Sequence, residues 1–564
     1  MYALILRGGT LVDGTGAPAR TADVAIDDGR IVAVGRDLGQ ARRTLDADGL
    51  LVTPGFVDVH THYDGQATWD EALSPSSGHG VTTVVMGNCG VGFAPVHAED
   101  RTFLIEVMEG VEEIPGAALD AGMTWDWSTF PDYLDALERR PRAIDVATQV
   151  PHCALRCFVM RPERALEDHA TPDDVAAMAK LTEEALRAGA LGFSTSRTLI
   201  HRTRAGDPVP GTHCEPEELL GIAAALRAAG HGVFQMISDH MGLEPDLTWM
   251  KRIAHLTEGP LLFTLGQLPR RPDAFRHALD ELDNAQAEGV DLRAAVPWRP
   301  PGVLLGLQAT LHPFCRHPSY PRRMTPSDRT NALADPALRD RLLGEAPATA
   351  NPVLLDLLTG FDQMFELGDP PDYEPPPEAS IAARARAAGV DPAAYAYDLL
   401  RDPTVWLYRP FGSYVSGDLS AVREMLEHPH TVASLGDGGA HVGSICDAGV
   451  TTYMLSHWVR DRHRGPRLPL ETVVAKQTSQ TADLYGLGDR GRVEVGRRAD
   501  LNVIDLDTLH LDAPVAKYDL PGGRRRLAQR AHGYRATIVA GEVIMENGEP
   551  TGARPGRLVR GPRR

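Results

Sequence analysis

Lysine is nearly absent: Lys180, Lys251, Lys476 and Lys517 are the only four in 564 residues. Cysteine is sparse too, and Cys89, Cys153, Cys157, Cys214, Cys315 and Cys446 are too few for a disulfide scaffold of this length. No run reaches the ~18 consecutive apolar residues that a membrane span needs. The opening MYALILRGGTLVDG lacks the basic start, long apolar stretch and small-residue cleavage site of a signal peptide. Positive charge is in deficit, with 57 Lys and Arg against 76 Asp and Glu, a net charge of −19. That balance argues against a surface that tracks nucleic-acid phosphates. It leaves room for a local cationic pocket that takes an acidic small molecule. These deficits predict a reduced, cytoplasmic protein with a small-molecule substrate and neither a nucleic-acid nor a membrane partner. The oligomeric state stays open, a homo-oligomer included.

What is present is an ordinary globular composition, 43% hydrophobic and 24% charged. The first fifty residues read as short β runs (ALILRGG, TLVDG, ADVAIDDG, RIVAVGR) broken by glycine turns. The last seventy return to that style in GRVEVGRRADLNVIDL and ATIVAGEVIMENGE. Between them, apolar β-branched runs alternate with helical ones such as TPDDVAAMAKLTEEALRAGA, where Thr171 and the Glu215–Pro216 pair are natural helix starts. Alternation of this kind favours an α/β chain with a parallel sheet, and this many units favours a closed (β/α)8 barrel. A doubly wound open sheet is the competing topology, weakened because no GxGxxG follows the first strand. The expected organisation is a small β-sandwich domain built from 1–54 plus 488–564, and a barrel over 55–487. An inserted, partly helical segment at about 318–400, rich in Pro, Arg and Asp, would cover the barrel mouth.

The sharpest chemical signal is VDVHTHYDG. His60 and His62 are two residues apart at the end of an apolar run, so in a strand both point to one face. Two converging imidazoles are half of a metal site, and the C-terminal end of a barrel strand is where such sites lie. Alone, the same pair would read as surface or core histidines. Cys89 follows a second apolar strand and enters the Gly-rich NCGVGFAP loop, where a thiolate could ligate zinc or the cysteine could simply be buried. Asp437 ends a third such strand in SLGDGGAHVG, either as a turn residue or as a carboxylate that ligates a cation and moves the proton of its water. His441 follows it by four residues, close enough to reach the same place.

Together these segments resemble the amidohydrolase superfamily, and within it the D-aminoacylase (N-acyl-D-amino-acid deacylase) branch. HTHYDGQATWD and HGVTTVVMGNCGVGFAP carry the resemblance most specifically. VPHCALRCFVM resembles a Gly-His-Gly-containing segment, with His152 at the histidine, and LYGLGDRGRVEVGRRADLNVIDLD resembles the return to the small β domain. The resemblance implies a distorted (β/α)8 TIM barrel with a β-sandwich-like second domain, and a hydrolase that uses one or two Zn2+ ions. It implies His60 and His62 as first-strand ligands. It also implies Cys89 where other members use a carboxylated lysine, a substitution consistent with Lys180 and Lys251 both lying in helical patterns. Asp437 would ligate, activate water and pass its proton to the leaving nitrogen, while His152 or His441 would donate to the developing oxyanion.

The chain departs from the family at two points. The middle strands should bring two histidines, one in a Ser-His-x-Lys segment, but GVFQMISDHMG offers only Asp239 and His240, and GPLLFTLGQLP offers no histidine. His240 is therefore the remaining candidate ligand from that region. The arginine expected after the final Asp is also missing. Arg197, His201 and Arg202 in STSRTLIHRTRAG, with His441, are the candidates for gripping substrate, guanidinium binding carboxylate as a fork. The expected activity is zinc-dependent cleavage of a non-peptide amide, such as deacylation of an N-acyl-D-amino acid. A metal-dependent hydrolase of a cyclic amide, carbamate or lactone is the alternative. A catalytically silent barrel that binds a ligand or partner is the second.

Overall fold

The computed structural model describes residues 1–322, 324 and 326–562. Its central feature is a run of parallel strands: β1 (Phe56–Asp58), β2 (Val81–Met86), β3 (Asp145–Thr148, resumed at Val150–Pro151), β4 (Gly192–Arg197), β5 (Val233–Ser238), β6 (Leu261–Thr264), β7 (Leu292–Pro297) and β8 (Thr431–Ser434). They pair in that order in two sheets that meet at β3, with registers such as Val84 to Val146, Phe193 to Val150 and Ala295 to Val432. Beyond the ends of β1 and β8, Thr61 and Gly438 form a further parallel bridge. One buried cluster draws Val57, Val85, Ala147, Val233, Leu262, Ala295 and Val432 from seven of these strands. Purely parallel strands need crossovers and burial on both faces, which is why their sequences are nearly unbroken apolar runs.

Helices supply the crossovers. Arg101–Glu112 (α1) follows β2, and Pro172–Ala188 (α2) and Pro216–Ala229 (α3) flank β4. The start of α2 is set by Thr171, whose hydroxyl accepts from the Asp174 amide at 3.2 Å while the Asp174 carboxylate accepts from the Thr171 amide at 2.9 Å. Pro172 occupies the first turn, and Gly189 ends the helix at φ 119.

Both chain ends enter one nine-stranded mixed sheet. Leu51–Pro54 pairs antiparallel with Leu501–Ile504, Val52 opposite Val503, so the termini are stitched side by side. Leu6, Val24, Ile26, Val52, Val503 and Ile538 form its own buried core. The inserted segment proves longer than its composition predicts. It begins with the strand Gly302–Leu305, which pairs antiparallel with Leu407–Pro410, and it holds a separate core including Leu305, Phe314, Leu342, Met364, Tyr397 and Leu407. The opening GVLLGLQAT is apolar and so looks like the flanking strands, which hides the boundary from composition. The segment abuts the loop after β8, where Leu304 and Thr310 amides donate to the Ser444 and Gly443 carbonyls. Among the described residues no helix is long and apolar enough to cross a membrane.

A buried ionic knot joins the C-terminal segment to β3. Asp145 is fully buried and takes Arg490 at 2.6 Å, Arg498 at 3.0 Å and the Arg557 amide at 2.8 Å. Replacing Asp145 by Ala leaves two buried guanidiniums short of a counter-charge, a change that typically costs about 3–5 kcal/mol. The expected outcome is a clear fall in the thermal unfolding midpoint. An unchanged midpoint would show that the knot contributes nothing.

Candidate metal centre

β1 runs directly into His60, Thr61 and His62. The Thr61 amide donates to the Val85 carbonyl at 3.1 Å and the His62 amide to Gly438 at 2.8 Å, so this stretch stays extended and both imidazoles turn to the same side. Their ring centres are 5.3 Å apart. Cys89 enters from the loop after β2, its Sγ 3.3 Å from His60 Nε2. Asp437 arrives from the loop after β8, with Oδ1 3.5 Å from His60 Nε2 and 3.9 Å from His62 Nε2. One donor atom from each of His60, His62 and Cys89 lies within 4.8 Å of the others.

The backbone is held in an unfavourable state to achieve this. Cys89, Asp437 and His441 have φ of 55°, 46° and 48°, a region that non-glycine residues avoid at a cost of about 1–3 kcal/mol each. Neighbours enforce it. The Cys89 amide donates to Gln235 Oε1 at 3.1 Å, the Gly90 amide to Ser194 Oγ at 3.0 Å, and the Asp437 amide to the His60 carbonyl at 3.0 Å.

Burial drives every donor toward its neutral form. It lowers His60 to about 3 and His62 well below the usual imidazole range, the neighbouring imidazoles adding to both. It raises the Cys89 thiol and the Asp437 carboxyl well above their usual ranges, with nearby carboxylates adding to the effect. Among the described residues, the side chains that perturb these four groups are imidazoles and carboxylates. A thiolate and a carboxylate in this place therefore need positive charge from outside the protein. Two imidazoles, one thiolate and one carboxylate are the donor chemistry of zinc, and their close, dry packing fits that ion.

Sequence reasoning missed two members. Glu112, the last residue of α1, is 1% exposed. It places Oε1 3.3 Å from His62 Nδ1 and Oε2 3.5 Å from His441 Nε2. A carboxylate behind a ligating histidine fixes the ring's orientation and raises its basicity. In the sequence Glu112 is one more acid at a helix end, with nothing to mark it. Gln235, on β5, holds the strained Cys89 amide instead of offering a ligand.

The remaining candidates separate. His201 is 8% exposed, and with His441 it is near enough to contribute to the lowering of His60. His152, expected as an oxyanion donor, has both nitrogens in hydrogen-bond contact here, Nδ1 with Thr195 Oγ1 at 2.9 Å and Nε2 with Glu218 Oε1 at 2.8 Å. Arg197 donates to the Cys214 carbonyl and lies over the Trp249 ring at 5.7 Å. Arg202 is exposed and donates to the Gly206 carbonyl of its own loop at 2.8 Å. Each uses one terminal nitrogen on a backbone carbonyl, and among the described residues no hydrogen bond or ion pair joins either to the four donors. Their loop folds back on itself, so backbone carbonyls take the arginines while the histidine between them turns inward. His240 lies past the end of β5, where the chain turns through Met241 at φ 48. Among the described residues no hydrogen bond or ion pair joins it to the other donors.

The chain is similar to known proteins along most of its length. The sequence model of the amidohydrolase family matches residues 43–545. The chain is similar to a D-aminoacylase of Alcaligenes xylosoxydans xylosoxydans, 29% identical over 573 residues, covering 99% of this chain and 97% of that protein. It is similar to an N-acyl-D-glutamate deacylase of the same organism, 29% identical over 571 residues, with 99% and 96% covered. Among solved structures, a crystal structure of D-aminoacylase superposes with a TM-score of 0.66 at 26% identity over all of both chains. An N-acyl-D-glutamate deacylase from Bordetella bronchiseptica, complexed with zinc and a phosphonate mimic of the tetrahedral intermediate, gives 0.64 at 25% identity, covering 99% of this chain and all of that one.

Changing Glu112 to Gln keeps its size but removes the carboxylate behind His62. Zinc affinity, measured by competition with a chelator, should fall by about 10–100-fold. Wild-type affinity in this variant would remove Glu112 from the centre.

Proposed function

Because the chain belongs to the amidohydrolase family, we propose that it is a zinc-dependent amidohydrolase that deacylates an N-acyl-D-amino acid or a similar N-acyl compound. The observation that carries this reading is the meeting of the buried His60, His62, Cys89 and Asp437 side chains, Cys89 Sγ 3.3 Å and Asp437 Oδ1 3.5 Å from His60 Nε2. The relatives' printed activities support the same bond type. The same convergence counts against a catalytically silent barrel. The strand order, the Thr61–Gly438 bridge and the shared apolar cluster support a closed (β/α)8 barrel over 55–487. The stitched terminal sheet supports a small β-sandwich domain from 1–54 plus 488–564.

His60, His62, Cys89 and Asp437 would hold the ion. Zinc held there would supply Lewis acidity, polarising an amide carbonyl and easing deprotonation of water near neutral pH. Asp437 then accepts the water's proton and delivers it to the leaving nitrogen. Glu112 keeps His62 oriented throughout. His441, with a side chain 24% exposed and Nε2 3.5 Å from Glu112, would donate to the oxyanion or hold the leaving group.

One observation favours a second reading. Among the described residues no hydrogen bond or ion pair joins Arg197 or Arg202 to His60, His62, Cys89 or Asp437, so neither contact marks the carboxylate fork expected for an acyl amino acid. A substrate without that carboxylate, such as a cyclic amide, carbamate or lactone, would not need one. A screen of N-acyl-D- and N-acyl-L-amino acids beside hydantoins and lactones separates the readings. Turnover of N-acyl-D-amino acids supports the first, and turnover of ring substrates alone supports the second. Replacing Asp437 by Ala should lower kcat by about 10²–10⁴-fold with zinc still bound, as expected for loss of a general acid–base. Wild-type turnover in that variant would remove Asp437 from the reaction.

A further inference from the structure

Far along the chain, two short strands, His510–Leu511 and Ala531–His532, pair antiparallel with His510 opposite His532. Opposite residues in such a pair share a face. Asp512 follows His510 by two, which puts it on that face as well. The ribbon continues past the strands, the Asp512 amide donating to the Arg530 carbonyl at 3.0 Å. As a result, His532 Nε2 lies 2.9 Å from Asp512 Oδ2 and His510 Nε2 lies 3.7 Å from Asp512 Oδ1. The two rings stack at 4.6 Å, only 9° from parallel, and one donor atom from each of the three residues lies within 4.8 Å of the others.

Two features distinguish this trio from a chance contact. His510 Nδ1 sits 2.8 Å from the Thr508 carbonyl. A carbonyl only accepts, so Nδ1 donates to it and Nε2 is the nitrogen left to face the carboxylate. A cation placed between Nε2 and the carboxylate would be held by both. The nearest cross-strand cation does not fill that place, because Arg530 turns to Glu549 at 2.5 Å. The buried trio His152, Cys214 and Glu218 is different: Arg156 already neutralises Glu218, and His152 has both nitrogens in use.

We propose that His510, Asp512 and His532 form a second divalent-metal site, separate from the centre at His60, His62 and Cys89, for a borderline cation such as zinc, nickel or cobalt. Two imidazoles with one carboxylate select such ions over magnesium and calcium, which prefer all-oxygen shells. Bonds of ~2.0–2.1 Å place tetrahedral ligands about 3.3 Å apart, a spacing that the 2.9 and 3.7 Å separations straddle. The three side chains are 49%, 43% and 40% exposed, so an ion enters directly from solvent. Its effect is on stability. The Asp512 carbonyl accepts from Gln529 at 2.7 Å, Gln529 Nε2 also donates to the Tyr373 hydroxyl at 3.0 Å, and the Gln529 carbonyl accepts from His79 at 3.1 Å. An ion on the ribbon therefore braces the contact between the C-terminal chain, the inserted segment and the loop before β2.

The test is cobalt(II) titration of the full-length protein, compared with a His510→Ala, His532→Ala double variant. Wild type should bind one equivalent more than the variant. That equivalent should lack the thiolate-to-cobalt charge-transfer band of a sulfur-ligated ion, and it should raise the unfolding midpoint of wild type alone. A single Asp512→Asn variant should bind the extra equivalent at least tenfold more weakly. Equal stoichiometry in wild type and double variant overturns the proposal, and so does an extra equivalent that carries the thiolate band.

Discussion

The arrangement depends on one electrostatic constraint. A thiol, a carboxyl and two imidazoles are packed together out of water, and the side chains that perturb them are carboxylates and other imidazoles. Left to themselves, these groups adopt their neutral forms, because an unpaired buried charge is costly. A divalent cation reverses that preference for the thiol and the carboxyl together.

The fold concentrates its strain at this point. The loop after β8 and the one leading out of β1 are tied by backbone bonds, Asp437 to His60 and His62 to Gly438, while the Gln235 and Ser194 side chains tie the loop after β2. Those ties hold Cys89, Asp437 and His441 in left-handed backbone that none would adopt freely. α1 then brings Glu112 over the top, so a helix end completes what the strands begin. Rigid strands set the positions of the ligands, and loops carry the groups that meet substrate, the usual division in parallel α/β proteins.

Much of this was legible in the sequence because the signals were local. The HTH pair, the cysteine after the second strand and the late Asp-Gly-Gly each follow an apolar run, and spacing sets a common direction for His60 and His62, while the family resemblance implied Cys89 and Asp437. The capping box at Thr171 and the matching β-rich ends were readable for the same reason. What could not be read depended on contacts between distant segments. Glu112 meets His62 only because α1 folds across the site. His201 turns inward while Arg197 and Arg202 turn away, although all three share one basic-looking loop. His152 lies in a family-like motif, yet Glu218, sixty-six residues on, takes its second nitrogen. The inserted segment begins earlier than its proline-rich composition suggests, because its first strand is as apolar as the strands beside it.

The central claim is that one sulfur and at least two imidazoles surround a single cation. X-ray absorption at the zinc edge tests it most directly, on protein loaded with about half an equivalent of zinc so that the tightest site fills first. The account predicts a shell with one sulfur at ~2.3 Å and nitrogen or oxygen neighbours at ~2.0–2.1 Å. A shell of nitrogen and oxygen alone would contradict it.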